Sequence, residues 1–480
     1  MNVGLLRVLA VFLLSLPMAG VPEEGSQVEI PDSPVGRRAA AYVSVFNKGD
    51  EKAMGVFWTA NFTAESLRQR PVEERLQFYR RMREDMKRII VVAVEESKPT
   101  SLVLRMKAEN GGFFRFGFQV EPDPPHLLTG MRIESVEAPA QAPKSAAEPP
   151  KGSDAEAGMA TDAFLRDLAS GDEFSGVVLL ARNNAAFLEK AYGLADREFR
   201  VPVNIETKFN LGSINKIFTK TAIAQLAAAG KFSLTDTIRK HLPRYGVPYA
   251  GRVTIQQLLD FSSGMGDIFG AKFEATPKDR VRTLADYLPF FESDPLKFEP
   301  GTRHEYSNAG YIVLGLIIEA VSGQDYYGYV RDHIFRPAGM TDTDSFFVDE
   351  IVPNRAVSYT REGGRLRSAM FEHPARGSSA GGGYSTARDL MRFAAAVKAG
   401  KLVSPVYASW ILSRDAAAPK TGQPSGRVSG SLGIAGGSPG VNAALEIDAD
   451  RGYTVVVLCN ADPPCAERAS RKVRGLLPRS

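Results

Sequence analysis

The chain has 480 residues, more than one ordinary domain accommodates, so two or more are expected. Hydrophobic residues make up 44% and charged residues 24%, a globular balance, and a net charge of +4 is too weak for a nucleic-acid-binding surface. The five histidines (126, 241, 304, 333 and 373) are scattered and form no H-E-x-x-H, so no metal and no cofactor is inferred.

In chain order, residues 1–20 (MNVGLLRVLAVFLLSLPMAG) read as a secretory signal. Arg7 gives a positive start, Val8 to Leu16 an apolar stretch too short to span a bilayer comfortably, and Ala19 and Gly20 small residues for cleavage. The expected location is exported, periplasmic or secreted, with no membrane span once the signal is removed. Residues 34–137 form a small α+β domain. Apolar residues at helical spacing on either side of Gly49-Asp50, and a third helix from Pro71, precede four strand-like runs. Asn110-Gly111 marks a hairpin between the second and third runs. The mixed charges of 70–88, Arg75, Arg80 and Arg81 among Glu73, Glu74 and Glu84, read as a solvated helix face. Helices followed by a meander resemble the cone-shaped fold of nuclear transport factor 2 in topology. No catalytic constellation falls in this part, so a binding or structural role is expected.

Residues 138–158 (APAQAPKSAAEPPKGSDAEAG) read as a linker. Residues 160–480 form the larger unit. Strand-like runs at 176–193 and 443–459 flank a mostly helical middle, which predicts one sheet built from both termini with a helical insertion. Cys459 and Cys465, the only cysteines, fit either a short-loop disulfide or two free thiols, and no zinc pattern.

Two serines sit in G-x-S-x-G frames: Ser438, in GIAGGSPG, and the serine of Gly377 to Gly381. A nucleophile elbow needs a helix after the serine. Strand-like sequence follows the first frame and glycines the second, so neither is the expected nucleophile. Ser213-Ile214-Asn215-Lys216 is a better candidate. Residues three apart on a helix share a face, so Lys216 can reach the Ser213 hydroxyl. A buried lysine loses its proton readily and can serve as the base a serine needs. Tyr306-Ser307-Asn308 supplies a phenol expected to titrate low enough beside an ammonium to shuttle protons, and an amide to orient Lys216 and meet a substrate carbonyl.

The stretches FNLGSINKIFTKTAIAQL, VTIQQLLDFSSGMGD, PGTRHEYSNAGYIVLGLIIEAVSG, RPAGMTDTD, AGGGYSTARDLMRF and GIAGGSPGVNAALEID, in this order, resemble the serine β-lactamase and penicillin-binding-protein superfamily, class C-like branch. The resemblance covers about two-thirds of the chain. It implies an α+β multidomain protein: a β-lactamase/transpeptidase-like domain, an antiparallel sheet flanked by helices plus a helical subdomain, preceded by the small α+β domain. It implies catalytic Ser213, Lys216 and Tyr306, an oxyanion hole of the Ser213 and Gly437 amides, and a substrate-binding set of Asn308, Ile434, Ala435 and Gly436.

Two positions depart from the family. Ile434 and Ala435 replace the cation and hydroxyl that help hold a substrate carboxylate, and Phe261 stands where a histidine usually precedes the Ser-Ser-Gly. Loss of one charge-assisted hydrogen bond costs about 1.5–3 kcal/mol, which favours esters or uncharged amides over penicillins. The expectation is thus an exported serine hydrolase acting through an acyl-enzyme on a small-molecule ester, amide or peptide. A D-alanyl peptidase or weak β-lactamase, with Arg303 or Arg376 replacing the lost anchor, is the first alternative. A catalytically weak cell-envelope binding protein is the second. His304 and His373 read as non-catalytic, His373 with a rim or substrate-contact role at most, and Asp260 and Asp267 as caps or turn residues. The oligomeric state is not legible.

Overall fold

The computed structural model describes residues 28–109, 112–136, 152–363, 365–413, 419 and 426–478. The signal at 1–20, the Asn110-Gly111 turn and most of the linker lie outside these. The chain divides into two compact units, Met1–Ala147 and Glu148–Ser480.

The first unit opens with helices α1 (Pro34–Lys48), α2 (Glu51–Asn61), α3 (Ala64–Gln69) and α4 (Val72–Met86). Ser33, Asp50 and Thr63 cap the first three by accepting backbone N–H groups. Strands β1 (Ile89–Ser97), β2 (Ser101–Ala108), β3 (Phe113–Val120) and β4 (Leu128–Val136) follow as an antiparallel meander in chain order. Its core is aromatic: Tyr42 packs on Phe46, Phe57, Trp58, Phe116 and Phe118. The 70–88 segment is not wholly a solvated face. Arg75 is 9% exposed and its guanidinium lies over the Trp58 and Phe62 rings, because its long stem carries it inward between aromatic neighbours.

The second unit begins at α5 (Asp154–Ser170), inside the stretch expected to be linker. The sequence signal for this start is a capping box: Ser153 and Glu156 satisfy each other's backbone N–H groups. Strands β5 (Gly176–Arg182) and β6 (Ala185–Tyr192) join three later strands. The resulting antiparallel sheet runs Ser431–Ser438, Val441–Asp448, Tyr453–Cys459, β5, β6, and so is built from both termini. Both faces of β5 are covered. Val177, Leu179 and Ala181 face the helical middle, while Val178 and Leu180 face α5 and the C-terminal helix Cys465–Leu476. That double burial explains the unbroken apolar run GVVLLA. Cys459 and Cys465 form a disulfide. Among the described residues no helix is long and apolar enough to cross a membrane.

Candidate active site

Ser213 lies in a 3-10 turn, Gly212–Ile214, that runs directly into α6 (Asn215–Ala228). The α6 helix is buried around most of its circumference. Lys216, in its first turn, is 4% exposed. Tyr306 ends a loop, and Asn308 begins the helix Asn308–Ser322, whose cap Ser307 accepts the Gly310 N–H and donates to the Gly266 carbonyl. These elements meet. Ser213 Oγ is 2.6 Å from the Tyr306 hydroxyl and 3.2 Å from Lys216 Nζ.

The Lys216 amine has two further partners, Asn308 Oδ1 at 2.7 Å and the Ala380 carbonyl at 2.5 Å. Both only accept hydrogen bonds. A neutral amine has two hydrogens and one lone pair. With both hydrogens placed on these acceptors, the lone pair faces Ser213 Oγ. Burial pulls the Lys216 ammonium down to about 7, opposed by the Asp267 carboxylate, so the neutral form is accessible near neutral pH.

Tyr306 departs from expectation. Burial raises its phenol above the ordinary value, against the lowering effect of the Ser213 hydrogen bond and with added upward pressure from Asp267. A raised phenol stays protonated at physiological pH and can donate a hydrogen bond. The Lys216 amine sits 4.7 Å from the Tyr306 ring centroid. Phe261 stacks on this ring at 5.0 Å and on Tyr311 at 5.4 Å. Its backbone takes φ 63°, a strained choice for a phenylalanine.

Asn308 is engaged at both ends. Its Nδ2 lies 3.0 Å from each carboxylate oxygen of Asp267, which fixes Oδ1 toward Lys216. Asp267 is therefore part of the site as well as a turn residue accepting the Ile268 N–H. The Gly377–Gly381 segment also belongs here through the Ala380 carbonyl, whereas Ser379 is fully buried and donates to the Tyr311 carbonyl.

The strand Ser431–Ser438 passes beside the Ser213 turn. A Cβ on Gly436 would fall 1.9 Å from the Leu211 carbonyl oxygen and 2.7 Å from the Ser213 nitrogen. One on Gly212 would fall 2.8 Å from the Gly437 nitrogen. Only glycine permits this approach, which brings the Ser213 and Gly437 amides together. A cavity of about 410 Å³ opens in front of them, and Ser213, Tyr306, Asn308 and Gly437 contribute to its wall. Ile434, Ala435 and Gly436 do not. Ile434 packs against the core, Ala435 is exposed on the outer side, and Gly436 lies against Leu211. The strand reaches the cavity only at its end, through Gly437 and Ser438, and in the turn after it, through Pro439. Ser438 is followed by a turn and a strand, not by a helix.

The rest of the wall is largely apolar, including Ile268, Phe269, Tyr287, Phe346 and Val348. Glu372 is its acid; no lysine or arginine lines it among the described residues. Arg376 is stacked 3.5 Å over Tyr327 and donates to the Ser345 carbonyl, and Arg303 is exposed away from the cavity. His373 lies on the rim and hydrogen-bonds the Pro439 carbonyl, while His304 bonds the Asp260 carbonyl.

The family described as Beta-lactamase matches residues 160–477. A putative penicillin-binding protein, PbpX, of Bacillus subtilis is 33% identical over 231 residues, which are 48% of this chain and 56% of that protein. The chain thus spans little more than half the length of this curated relative. A penicillin-binding protein structure from Bacillus halodurans aligns with TM-score 0.59 and 30% identity, over 65% of this chain and all of that one. EstCE1, a hydrolase with promiscuous acyltransferase activity, shares the fold at TM-score 0.56 and 20% identity, over 67% and 98% of the two chains. The chain belongs to the Beta-lactamase family, within the serine β-lactamase and penicillin-binding-protein superfamily.

Proposed function

We propose that this protein is an exported serine hydrolase that forms an acyl-enzyme on Ser213. The observation that carries the reading is the set of three contacts at Lys216: in its neutral form the Asn308 and Ala380 oxygens take both hydrogens, which leaves the lone pair for the Ser213 hydroxyl. As Ser213 attacks a carbonyl carbon, its proton passes to Lys216. The Ser213 and Gly437 amides hold the developing oxyanion. The Tyr306 hydroxyl protonates the departing oxygen or nitrogen, and the resulting phenolate recovers a proton from the Lys216 ammonium. Water then attacks the acyl ester, giving one proton back through the same pair while Ser213 Oγ leaves reprotonated.

The substrate class follows from the wall. An apolar cavity whose carboxylate is Glu372, with no lysine or arginine among its described lining residues to meet a substrate carboxylate, suits uncharged esters and amides better than penicillins or D-alanyl termini. Export is supported by the apolar N-terminal stretch and by the disulfide. Periplasmic or culture-medium recovery of the full-length product, and its loss on deleting residues 1–20, tests that part.

The test of the chemistry is intact-protein mass spectrometry after exposure to a fluorophosphonate. One adduct on the wild type and none on Ser213→Ala is expected. A folded wild type without an adduct overturns the reading in favour of a binding protein. Hydrolysis of a short-chain p-nitrophenyl ester is expected to exceed that of a chromogenic cephalosporin by about tenfold or more in kcat/KM. The reverse order returns the peptidase or β-lactamase alternative.

A further inference from the structure

The N-terminal unit carries a cavity of its own, about 240 Å³, between α2, α4 and β4. At roughly 30 Å³ of liquid per water, that is the space of about eight waters. Its walls have two characters. Phe78, Met131 and Ile133 make one side apolar, and Trp58, Arg70 and Arg75 make the other electropositive; Arg132 also borders it.

Three residues define the electropositive side. Arg75, 9% exposed, is hydrogen-bonded only to oxygens without charge: Nε to the Arg70 carbonyl, and Nη2 to the carbonyl and hydroxyl of Ser66. Its Nη1 makes no hydrogen bond, and no carboxylate forms an ion pair with it, among the described residues. The Glu74 carboxylate favours its charge from a distance, but burial weighs more heavily against that charge. Arg70 is the second. Its guanidinium lies 5.0 Å over the Phe78 ring, has no ion pair among the described residues, and repels Arg75. The third is Trp58, 3% exposed, whose indole N–H has no hydrogen-bond partner among the described residues. Buried N–H groups are rarely left so.

We propose that this cavity binds a small organic monoanion: a carboxylate or similar oxyanion on a short apolar body. One anionic head gives Arg75 and Arg70 a shared counter-charge on this side of the cavity. The apolar body lies along Phe78, Met131 and Ile133. The proposal is independent of the chemistry at Ser213 and gives the N-terminal unit a ligand-binding role.

The test uses the full-length chain carrying Ser213→Ala, so that no probe is turned over, and Trp410→Phe, so that Trp58 is the only indole. Hexanoate and its neutral analogue hexanamide are titrated while Trp58 emission is followed. A saturable change with hexanoate is expected, with Kd in the millimolar range or below and about tenfold weaker binding of hexanamide. Arg70→Met, on an exposed side chain, is expected to weaken hexanoate at least about fivefold and to leave hexanamide unchanged. Arg75→Met is expected to abolish binding; if circular dichroism shows that it does not fold, Arg70→Met decides. No saturable change, equal affinity for the two probes, or unchanged hexanoate affinity in Arg70→Met overturns the proposal.

Discussion

Two lysines one helical turn apart on α6 have the same burial problem and different solutions. Burial pulls Lys216 down to about 7 and Lys220 down to about 8. Lys216 faces two obligatory acceptors and a hydroxyl. Lys220 faces three carbonyls, Trp410 at 2.8 Å, Ile411 at 3.4 Å and Ser413 at 3.1 Å, and lies over the Trp410 ring. Three acceptors require three hydrogens and hold Lys220 as an ammonium that closes the C-terminal end of the Pro405–Ile411 helix. Lys216 has a place for a lone pair and Lys220 does not. Burial makes a lysine available as a base, but the number of fixed acceptors decides whether it becomes one.

The sharpest way to break that comparison is to remove each amine in turn. Lys216→Met is expected to lower kcat/KM for an ester by about 10³-fold or more in a protein that still folds. Lys220→Met is expected to keep kcat/KM within about threefold and to lose about 1–3 kcal/mol of stability, because the carbonyls of Trp410, Ile411 and Ser413 lose its ammonium hydrogens. Ester kinetics beside denaturant midpoints for the two variants check this. Equal losses of activity would show that the acceptor count does not distinguish them.

The pH profile is the next test. Only the neutral amine can take the serine proton. With Lys216 at about 7, kcat/KM is expected to fall about tenfold per pH unit well below 7 and to level off above it. Lys220, whose charge is not used in the chemistry, adds no second limb. Asp267→Asn then asks who sets the position of this limb. Asp267 raises the Lys216 value, so its removal is expected to move the limb to lower pH. Asn308 also loses a charged partner at 3.0 Å, so the plateau is expected to drop about tenfold. A lower plateau with an unmoved limb would limit Asp267 to positioning Asn308.

The same contrast explains what could be read from the sequence. Ser213, Lys216, Tyr306 and Asn308 were legible because short local spacing carries them. The sheet built from both termini was legible from apolar runs at each end. The strand after Ser438 ruled out an elbow there. Ala380 was not legible, because its contribution is a backbone carbonyl that any residue has. The pairing of Asp267 with Asn308 spans 41 residues of chain, and neither residue marks it. The raised phenol of Tyr306 follows from burial, which a motif does not encode. Ile434 to Gly436 were assigned to the substrate by motif position, whereas Ile434 packs on the core and the Gly436 backbone lies against Leu211, away from the cavity wall. Arg75, read as solvated from its mixed-charge neighbourhood, turned inward onto Trp58 and Phe62. The helix start at Ser153 was in the sequence as Ser-x-x-Glu, hidden by the Pro- and Ala-rich composition before it.

The last contrast is between a side chain held by few contacts and a strand held by many. The end of Ser431–Ser438 is braced from the side of the disulfide. A Cβ on Gly437 would come 2.8 Å from Pro463, and Asp462 accepts the Gly440 N–H at 2.7 Å. Asn442 donates to the Gly436 carbonyl at 3.0 Å and caps the C-terminal helix by accepting the Ala466 N–H at 2.6 Å. The Cys459–Cys465 bond closes the loop that carries Pro463 and Asp462. Replacing both cysteines by serine frees a short loop in the unfolded chain and is expected to cost about 2 kcal/mol of stability. The strand keeps its ladder to Val441–Asp448 and the Asn442 bonds, so kcat for an ester is expected to fall only about two- to fivefold, through looser placement of the Gly437 amide. Denaturant midpoints and kcat measured on the same preparation separate the two effects. A loss of kcat as large as that of Lys216→Met would place the oxyanion strand with Lys216, among elements without redundancy. A stability loss with kcat unchanged would show that the ladder alone fixes the amide.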